Sequence, residues 1–511
     1  MILTVFIYIA IEIIMQLMKQ LSILLILFLF LSPVLTGQQV DVQKLDEYFS
    51  SAIEKFEIPG VAIGIVKDDS VIFAKGYGDG ITPNTVFGIA SMSKAFTAAS
   101  IGMLVDENKI SWDDKVQKYL PDFVLSDPYI SSQLTIADLL SHRSGLKTFD
   151  GDLLWYGTNY PRNEIVKRIR KLPLKNQFRA EYGYQNVMFI TAGEVLEEVS
   201  GKSWDEFVRE RIFNKLGMNN SSTSITEFKE GMAVAVPHVD GKPIKQLNYD
   251  NSGPAASINS TVNDILKWGQ MWLNNGKWNG EQILSENVIN KIFTPHIMMP
   301  VRPGNKYGTN FQGYGLGWFM FDYSSHKILH HGGGLPGVHT KIVLVPDANL
   351  AFVVLTNQLN NLVDALMYKI LDSFLNSKDI DYAAQALDSY KKYYEQLNKQ
   401  KQEREEKRVE GTTPSLPFEQ YAGNYIDDYY GSAKIKFTDD KLTLTLVPAT
   451  EIFTGELTHW HYNTFKIQFA DTYLPFGLVN FEFNTDGKLT GFIIDLPNPD
   501  FHFDNLHFKK Q

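Results

Sequence analysis

The chain has 511 residues, a formal net charge of -10 at pH 7 and no cysteine. That length exceeds a single ordinary domain, so two folded units and a large core are expected. The acidic balance, without any basic stripe, excludes a nucleic-acid partner; the missing cysteine excludes disulfides, thiol catalysis, thiolate metal sites and a lipidated N-terminal cysteine.

In chain order, Met18-Lys19-Gln20, an apolar run over 21–31 and small residues over 32–37 follow the charged, apolar, small-residue order of a secretory signal. Residues 1–37 therefore read as a signal peptide, with Met18 as an alternative start, and predict export to a periplasmic or extracellular space. The rival reading is an uncleaved membrane anchor, because the combined apolar length suffices to span a bilayer. A helix over 42–56 precedes two buried strands, 60–66 and 70–76, that flank Lys67-Asp68-Asp69 as a hairpin. Helical patches separated by Gly, Pro and Asn loops fill 90–300, strands return at 316–321, 327–330, 339–345 and 350–355, and an amphipathic helix over 361–375 closes the unit. This order predicts an α+β fold over 38–376: an antiparallel sheet built from both chain ends, flanked by helices, with a helical insertion. A charged helix over 379–408 and the break Gly411-Thr412-Thr413-Pro414 make 377–413 a connector. Short alternating strands at 432–437, 442–447, 464–469, 478–483 and 489–494, with tight-turn signals at Asp439-Asp440 and Asp486-Gly487, predict a small antiparallel β-barrel over 414–511.

Ser91-Met92-Ser93-Lys94 opens a run with no further charge until Asp106. A lysine three residues after a serine at a helix start lies on the same face, and an apolar helix behind it desolvates the ammonium and pushes it towards neutrality. Such an amine can help strip a proton from the neighbouring hydroxyl. The same spacing occurs at Ser144 and Lys147, Ser324 and Lys327, and Ser389 and Lys392, but these fall in a Gly-containing loop, between two strands and on a charged helix. Tyr184-Gln185-Asn186 precedes an apolar helix, and His331-Gly332-Gly333-Gly334 begins near a strand end, where glycine lets a substrate approach the backbone. Leu139 to Leu146, with the sequence LLSHRSGL, lies between the first two motifs, and Tyr314-Gly315-Leu316-Gly317-Trp318 precedes the last. Taken singly each has a plain reading, a packing tyrosine or a sheet-edge histidine. His330, His459 and His461 lack the carboxylate cluster that would complete a metal site, and no cofactor is expected.

Taken together, Ser-x-x-Lys, Tyr-x-Asn and His-x-Gly in this order resemble the serine beta-lactamase and penicillin-binding-protein superfamily. The similarity covers about 43–375 and is strongest to the class C, esterase and D-aminopeptidase branch, the S12 serine peptidases; it includes Leu139 to Leu146 and the loop Gly253 to Asp264. Phe418 to Tyr425 and the Thr458-His459-Trp460-His461 segment resemble the lipocalin-like C-terminal domain of some S12 members, one of them a self-compartmentalising archaeal peptidase. The resemblance implies Ser91 as nucleophile, Lys94 and Tyr184 sharing general-base and general-acid work, and Asn186, His331 and Gly333 as substrate contacts, with the backbone N–H groups of Ser91 and Gly334 as an oxyanion hole. A histidine where many relatives have lysine is mostly neutral, which disfavours a carboxylate-anchored beta-lactam and favours small peptides, D-residue peptides among them, or carboxylic esters. A beta-lactamase or a penicillin- or peptide-binding module with decayed catalysis is the alternative; a barrel that binds an apolar ligand is a third reading. Partners are then a small peptide or ester substrate, the membrane only if the N-terminal segment is retained, and a second copy of the chain if the assembly follows the compartmentalising relative.

Overall fold

The computed structural model describes residues 2–30, 40–305, 307–375, 378 and 380–511. The chain divides into units 1–43 and 44–511. The first contains the apolar helix α1 (Ile2–Phe30); the small-residue stretch expected to carry signal cleavage lies outside the described residues.

In the second unit, α2 (Val42–Phe56) leads into β1 (Val61–Lys67) and β2 (Ser70–Tyr77). The central helix α3 (Ser93–Asp106) follows, with α4 (Asn186–Ser200) and α5 (Val262–Leu273) in the helical insertion. Strands β3 (Ile297–Met299), β4 (Gln312–Tyr314), β5 (Phe319–Tyr323), β6 (His326–Leu335), β7 (Val338–Val345) and β8 (Leu350–Thr356) then complete an antiparallel sheet, in the order β2-β1-β8-β7-β6-β5-β4-β3. The two ends of this domain meet towards one side of the sheet, at its second and third strands, where Ile63 of β1 lies opposite Val354 of β8. Central strands are buried on both faces, hence their near-continuous apolar sequences. Ile342 and Leu344 of β7 face Gly269 of α5, whereas Lys341 pairs with Asp364 of α6 (Leu362–Leu375), so the two helices cover opposite faces. Helix α3 is buried from Ser93 to Leu104 without an amphipathic stripe, as a helix enclosed on all sides must be. Phe96 anchors it by stacking on Trp268 of α5 at 4.2 Å between centroids.

Three findings modify the expected sheet. β2, expected to be buried, is an edge strand with only Tyr77 buried. β3 and β4 lie in segments without a strand pattern, because three-residue strands are too short to display a period of two. β6 runs through the three glycines instead of stopping before them: a Cβ on Gly333 would lie 2.2 Å from the Ile89 carbonyl oxygen and 2.6 Å from Thr340 Oγ1. Glycine there permits the strand to press against the Ser91 turn.

Helix α7 (Tyr382–Glu406) carries the charged connector. Beyond it, β9 (Gly423–Asp427), β10 (Gly431–Thr438), β11 (Lys441–Leu446), β12 (Thr454–His461), β13 (Thr464–Ile467), β14 (Gly477–Phe483), β15 (Leu489–Asp495) and β16 (His507–Lys510) form a closed barrel. Closure comes from Tyr425 opposite Lys510, which removes both sheet edges. Alternation in β10 and β11 points Ala433, Ile435, Leu442, Leu444 and Leu446 inward. Tyr425, Phe465, Phe481, Phe492 and Phe508 pack together as buried rings. The His459-Trp460-His461 segment forms the end of β12, and the His461 ring accepts the Val409 N–H, tying the connector to the barrel.

The barrel is seated on the loop that follows the LLSHRSGL segment. Tyr156 Oη donates to Asp471 at 2.7 Å, Tyr160 Oη donates to the Tyr430 carbonyl at 2.7 Å, and His502 pairs with Asp150 at 2.9 Å. Tyr156 also lies 4.1 Å from Phe501, centroid to centroid.

Candidate active site

Ser91 sits in a 3-10 turn over Ala90–Met92 that runs directly into α3. Ala90 adopts φ +48°, a left-handed conformation that costs an L residue about 1–2 kcal/mol. Neighbouring bonds hold it there. The Ser93 hydroxyl donates to the Ala90 carbonyl at 2.7 Å and accepts the Ile258 N–H at 3.1 Å, while Thr340 donates to the Ile89 carbonyl at 3.0 Å. The turn leaves Ser91 partly exposed while its neighbours Met92 to Leu104 are buried.

Lys94 is fully buried one turn along, with Nζ 3.1 Å from Ser91 Oγ, 2.6 Å from Asn186 Oδ1 and 3.0 Å from the Ala255 carbonyl oxygen. Three acceptors suit both protonation states. An ammonium donates to all three; a neutral amine donates to Asn186 and Ala255 and turns its lone pair to the Ser91 hydroxyl, with no heavy atom moving. Burial pushes Lys94 well below the ordinary lysine range, and the nearby Asp152 carboxylate opposes that shift. Asn186 opens α4, and its amide is engaged at both ends: Oδ1 accepts from Lys94, and Nδ2 donates to Asp152 at 2.7 Å.

Tyr184 faces the same cleft, its ring centroid 4.7 Å from Lys94 Nζ. Burial holds its phenol above the usual value, the hydrogen bond with Ser91 pulls the other way, and Asp152 adds to the rise. The two groups thus diverge: the lysine is the better proton acceptor and the phenol stays protonated. Buried Asp138 fixes the segment that presents Tyr184 by bridging Arg143 Nε at 2.7 Å and an Arg179 guanidinium nitrogen at 2.6 Å. Burial works against ionising Asp138, but the Arg179 hydrogen bond and the Arg143 charge outweigh it and hold the carboxyl below its usual range. His142 from the LLSHRSGL segment lies against the Tyr184 ring at 4.2 Å and accepts the Gln185 N–H at Nδ1, 3.0 Å away. With that acceptor role and complete burial, its imidazole is neutral.

His331 is buried, with Nδ1 2.7 Å from the Gly332 carbonyl oxygen and Nε2 3.0 Å from Tyr314 Oη. Nδ1 therefore carries the proton and Nε2 accepts from the phenol. Burial, then the Lys94 charge, push this imidazole down to about 3, so it presents no cation at neutral pH. β5 pairs with β6 only as far as His330, while β7 continues to Leu335, so one edge of β6 from His331 onward is open beside the Ser91 turn; Gly333 and Gly334 lie on it. A groove lined by Tyr249, Ser257, Leu335, Pro336 and Val338 continues from that edge.

The structure thus gathers Ser91, Lys94, Tyr184 and Asn186 into one contact network, with His331, Gly333 and Gly334 on the adjoining strand. Sequence reasoning missed Asp152, and it singled out the segments that hold His142 and Tyr314 without giving either residue a role. The sequence signal for Asp152 is slight, an acid just ahead of Leu153-Leu154-Trp155-Tyr156, with Trp155 three residues on to donate its indole N–H at 2.9 Å. Trp318, at the end of the Tyr314-Gly315-Leu316-Gly317-Trp318 segment, is packed in the core against Trp272 and Phe293.

Residues 45–372 match the beta-lactamase family, and residues 407–510 match a domain of unknown function, DUF3471. The eight-stranded barrel that this second region forms fits a lipocalin-like domain. The chain is 29% identical over 442 residues to unguisins hydrolase ungD' of Aspergillus campestris, covering 80% of this chain and 79% of that protein. The octameric penicillin-binding protein homologue from Pyrococcus abyssi aligns with a TM-score of 0.60 at 22% identity, over 92% of this chain and 100% of its own. The D-stereospecific amidohydrolase from Streptomyces sp. aligns with a TM-score of 0.54 at 20% identity, over 65% and 98%. These two structures share the fold. With the family matched over well over half its length, the chain belongs to the beta-lactamase family, whose members are serine hydrolases.

Proposed function

We propose that the protein is a serine hydrolase that forms an acyl-enzyme at Ser91 and cleaves small peptides, D-residue peptides among them, or carboxylic esters. The observation that carries this reading is the Lys94 cradle: an amine poised by burial, 3.1 Å from a hydroxyl on a strained turn, able to exchange a proton with it without rearrangement. Ser91 Oγ attacks the substrate carbonyl, its proton passes to Lys94, and backbone N–H groups of Ser91 and Gly334 receive the oxyanion. Tyr184 hands a proton to the leaving amine or alcohol and regains one from Lys94; water then repeats the sequence on the acyl-enzyme. A neutral His331 offers no anchor for a substrate carboxylate, which favours esters and uncharged peptides over beta-lactams. The names of two similar proteins, a hydrolase of unguisins and a D-stereospecific amidohydrolase, support an amide substrate of that kind.

The test is a mass increment on Ser91 after treatment with a fluorophosphonate, together with rates on p-nitrophenyl esters, D-aminoacyl amides and nitrocefin. Labelling of the native protein, none of Ser91→Ala, and nitrocefin as the poorest substrate are expected. No covalent adduct on the native protein would leave the binding-module reading in its place. We further propose export directed by the N-terminal segment, tested by sequencing the N-terminus of the mature protein, and assembly of several copies, as in the octameric homologue, tested by light scattering.

A further inference from the structure

Asp152 is 3% exposed, and both its oxygens accept from groups that can only donate: the Trp155 indole at 2.9 Å and the Asn186 amide nitrogen at 2.7 Å. Burial raises this carboxyl above the ordinary carboxylate range, while the Trp155 and Asn186 hydrogen bonds and the Lys94 charge pull it back; a protonated carboxyl would need an acceptor for its own hydrogen, and neither hydrogen-bond partner supplies one, so the geometry favours the carboxylate. Asn186 cannot turn its amide over, because its nitrogen would then oppose Lys94 and its oxygen would oppose Asp152. The line Asp152–Asn186–Lys94–Ser91 is therefore polarised in one sense, with a carboxylate at one end and the nucleophile at the other.

We propose that Asp152 is a positioning residue of the reaction: through the Asn186 amide it orients Lys94 and stabilises the ammonium formed when Lys94 takes the Ser91 proton. The inference rests on acylation at Ser91. As Oγ bonds to the carbonyl carbon, the O–H electron pair becomes the new bond, the proton joins the Lys94 lone pair, and the carbonyl π pair moves to the oxyanion. The proton later leaves with the amine or alcohol, so Asp152 gains and loses none. Its charge matters because the ammonium appears in a buried place where a lone cation is costly. The other ionisable groups around this line are Tyr184, which is protonated, His142 and His331, which are neutral, and Asp500, His502 and Tyr429 from the barrel side.

The test compares the full-length protein with Asp152→Asn and Trp155→Phe in p-nitrophenyl acetate hydrolysis from pH 5 to 10, with fluorophosphonate labelling as the count of competent sites. Asp152→Asn is expected to lower kcat roughly 10- to 100-fold, as loss of an orienting partner does elsewhere, with KM near native. The acid limb of kcat/KM is expected to move to lower pH, because Lys94 loses the anion that favours its charged form; a merely structural defect would not move it. Trp155→Phe, which keeps the charge and removes one donor to it, is expected to lower kcat a few-fold. Native kcat and an unmoved acid limb in Asp152→Asn would overturn the proposal; if that variant does not fold, native kcat in Trp155→Phe does so. A native protein that hydrolyses nothing and takes no label would instead sink the acyl-enzyme reading itself.

Discussion

At the scale of single residues, burial sets two ordinarily similar groups apart. Lysine and tyrosine have reference values near 10, and burial moves the amine down and the phenol up. Lys94→Ala is expected to reduce kcat/KM about 1,000-fold, with Ser91 labelling falling in step. In the native protein kcat/KM should rise with pH as Lys94 loses its proton, at a midpoint well below that of a free lysine. His331→Gln should lower the rate without moving that midpoint, since the imidazole is already neutral; a displaced midpoint in a pH–rate series would show that His331 titrates. Ser91 and Lys94 were legible from their spacing at the start of an apolar helix, and Tyr184 only from the family resemblance that the ordered motifs carry together. Asp152 was not, because its meaning depends on Asn186 and Trp155 converging on it, and no spacing rule encodes a loop's path.

At the scale of elements, the site depends on how closely strand β6 meets the Ser91 turn and on what fastens the Tyr184 segment. Gly333→Ala would drive a methyl into the Ile89 carbonyl and is expected to separate strand from turn, measured as a lowered melting temperature and loss of labelling. Asp138→Ala leaves two guanidinium groups without their carboxylate and is expected to cost about 3 kcal/mol in urea unfolding. The sign with pH follows from its depressed folded value: the contribution of Asp138 is complete above the unfolded carboxylate range and is lost as pH falls through the folded one. The hairpin β1–β2 and strands β7 and β8 were legible as apolar runs between turn signals. β3 and β4 were not, and neither was β6 beyond His330, where three glycines with poor strand propensity are held by pairing to β7 and by the turn beneath them.

At the scale of the whole molecule, the barrel and the loop over 150–160 share a contact surface beside Asp152. His502 is raised above the ordinary histidine value by its hydrogen bond to Asp150, so its imidazolium stabilises the docked barrel. With a raised folded value, that contribution is complete below the unfolded histidine range and fades as pH rises through the folded one. The melting-temperature difference between the native protein and His502→Gln should therefore be largest near pH 6 and vanish in alkaline buffer; a constant difference would mean that the ring acts by packing alone. The barrel's existence was legible from alternation and turn residues. Its seat on residues 150–160 was not, because the surfaces that meet there are more than 250 residues apart in sequence.

The same seat has a consequence for biosynthesis. Asp152 reaches Lys94 through Asn186 and holds the Trp155 indole, Phe501 lies against Trp155, and His502 pairs with Asp150, so the support of Lys94 draws on residues more than 300 positions later in the sequence. A nascent polypeptide therefore cannot complete the surroundings of Lys94 until the barrel has been translated and has docked.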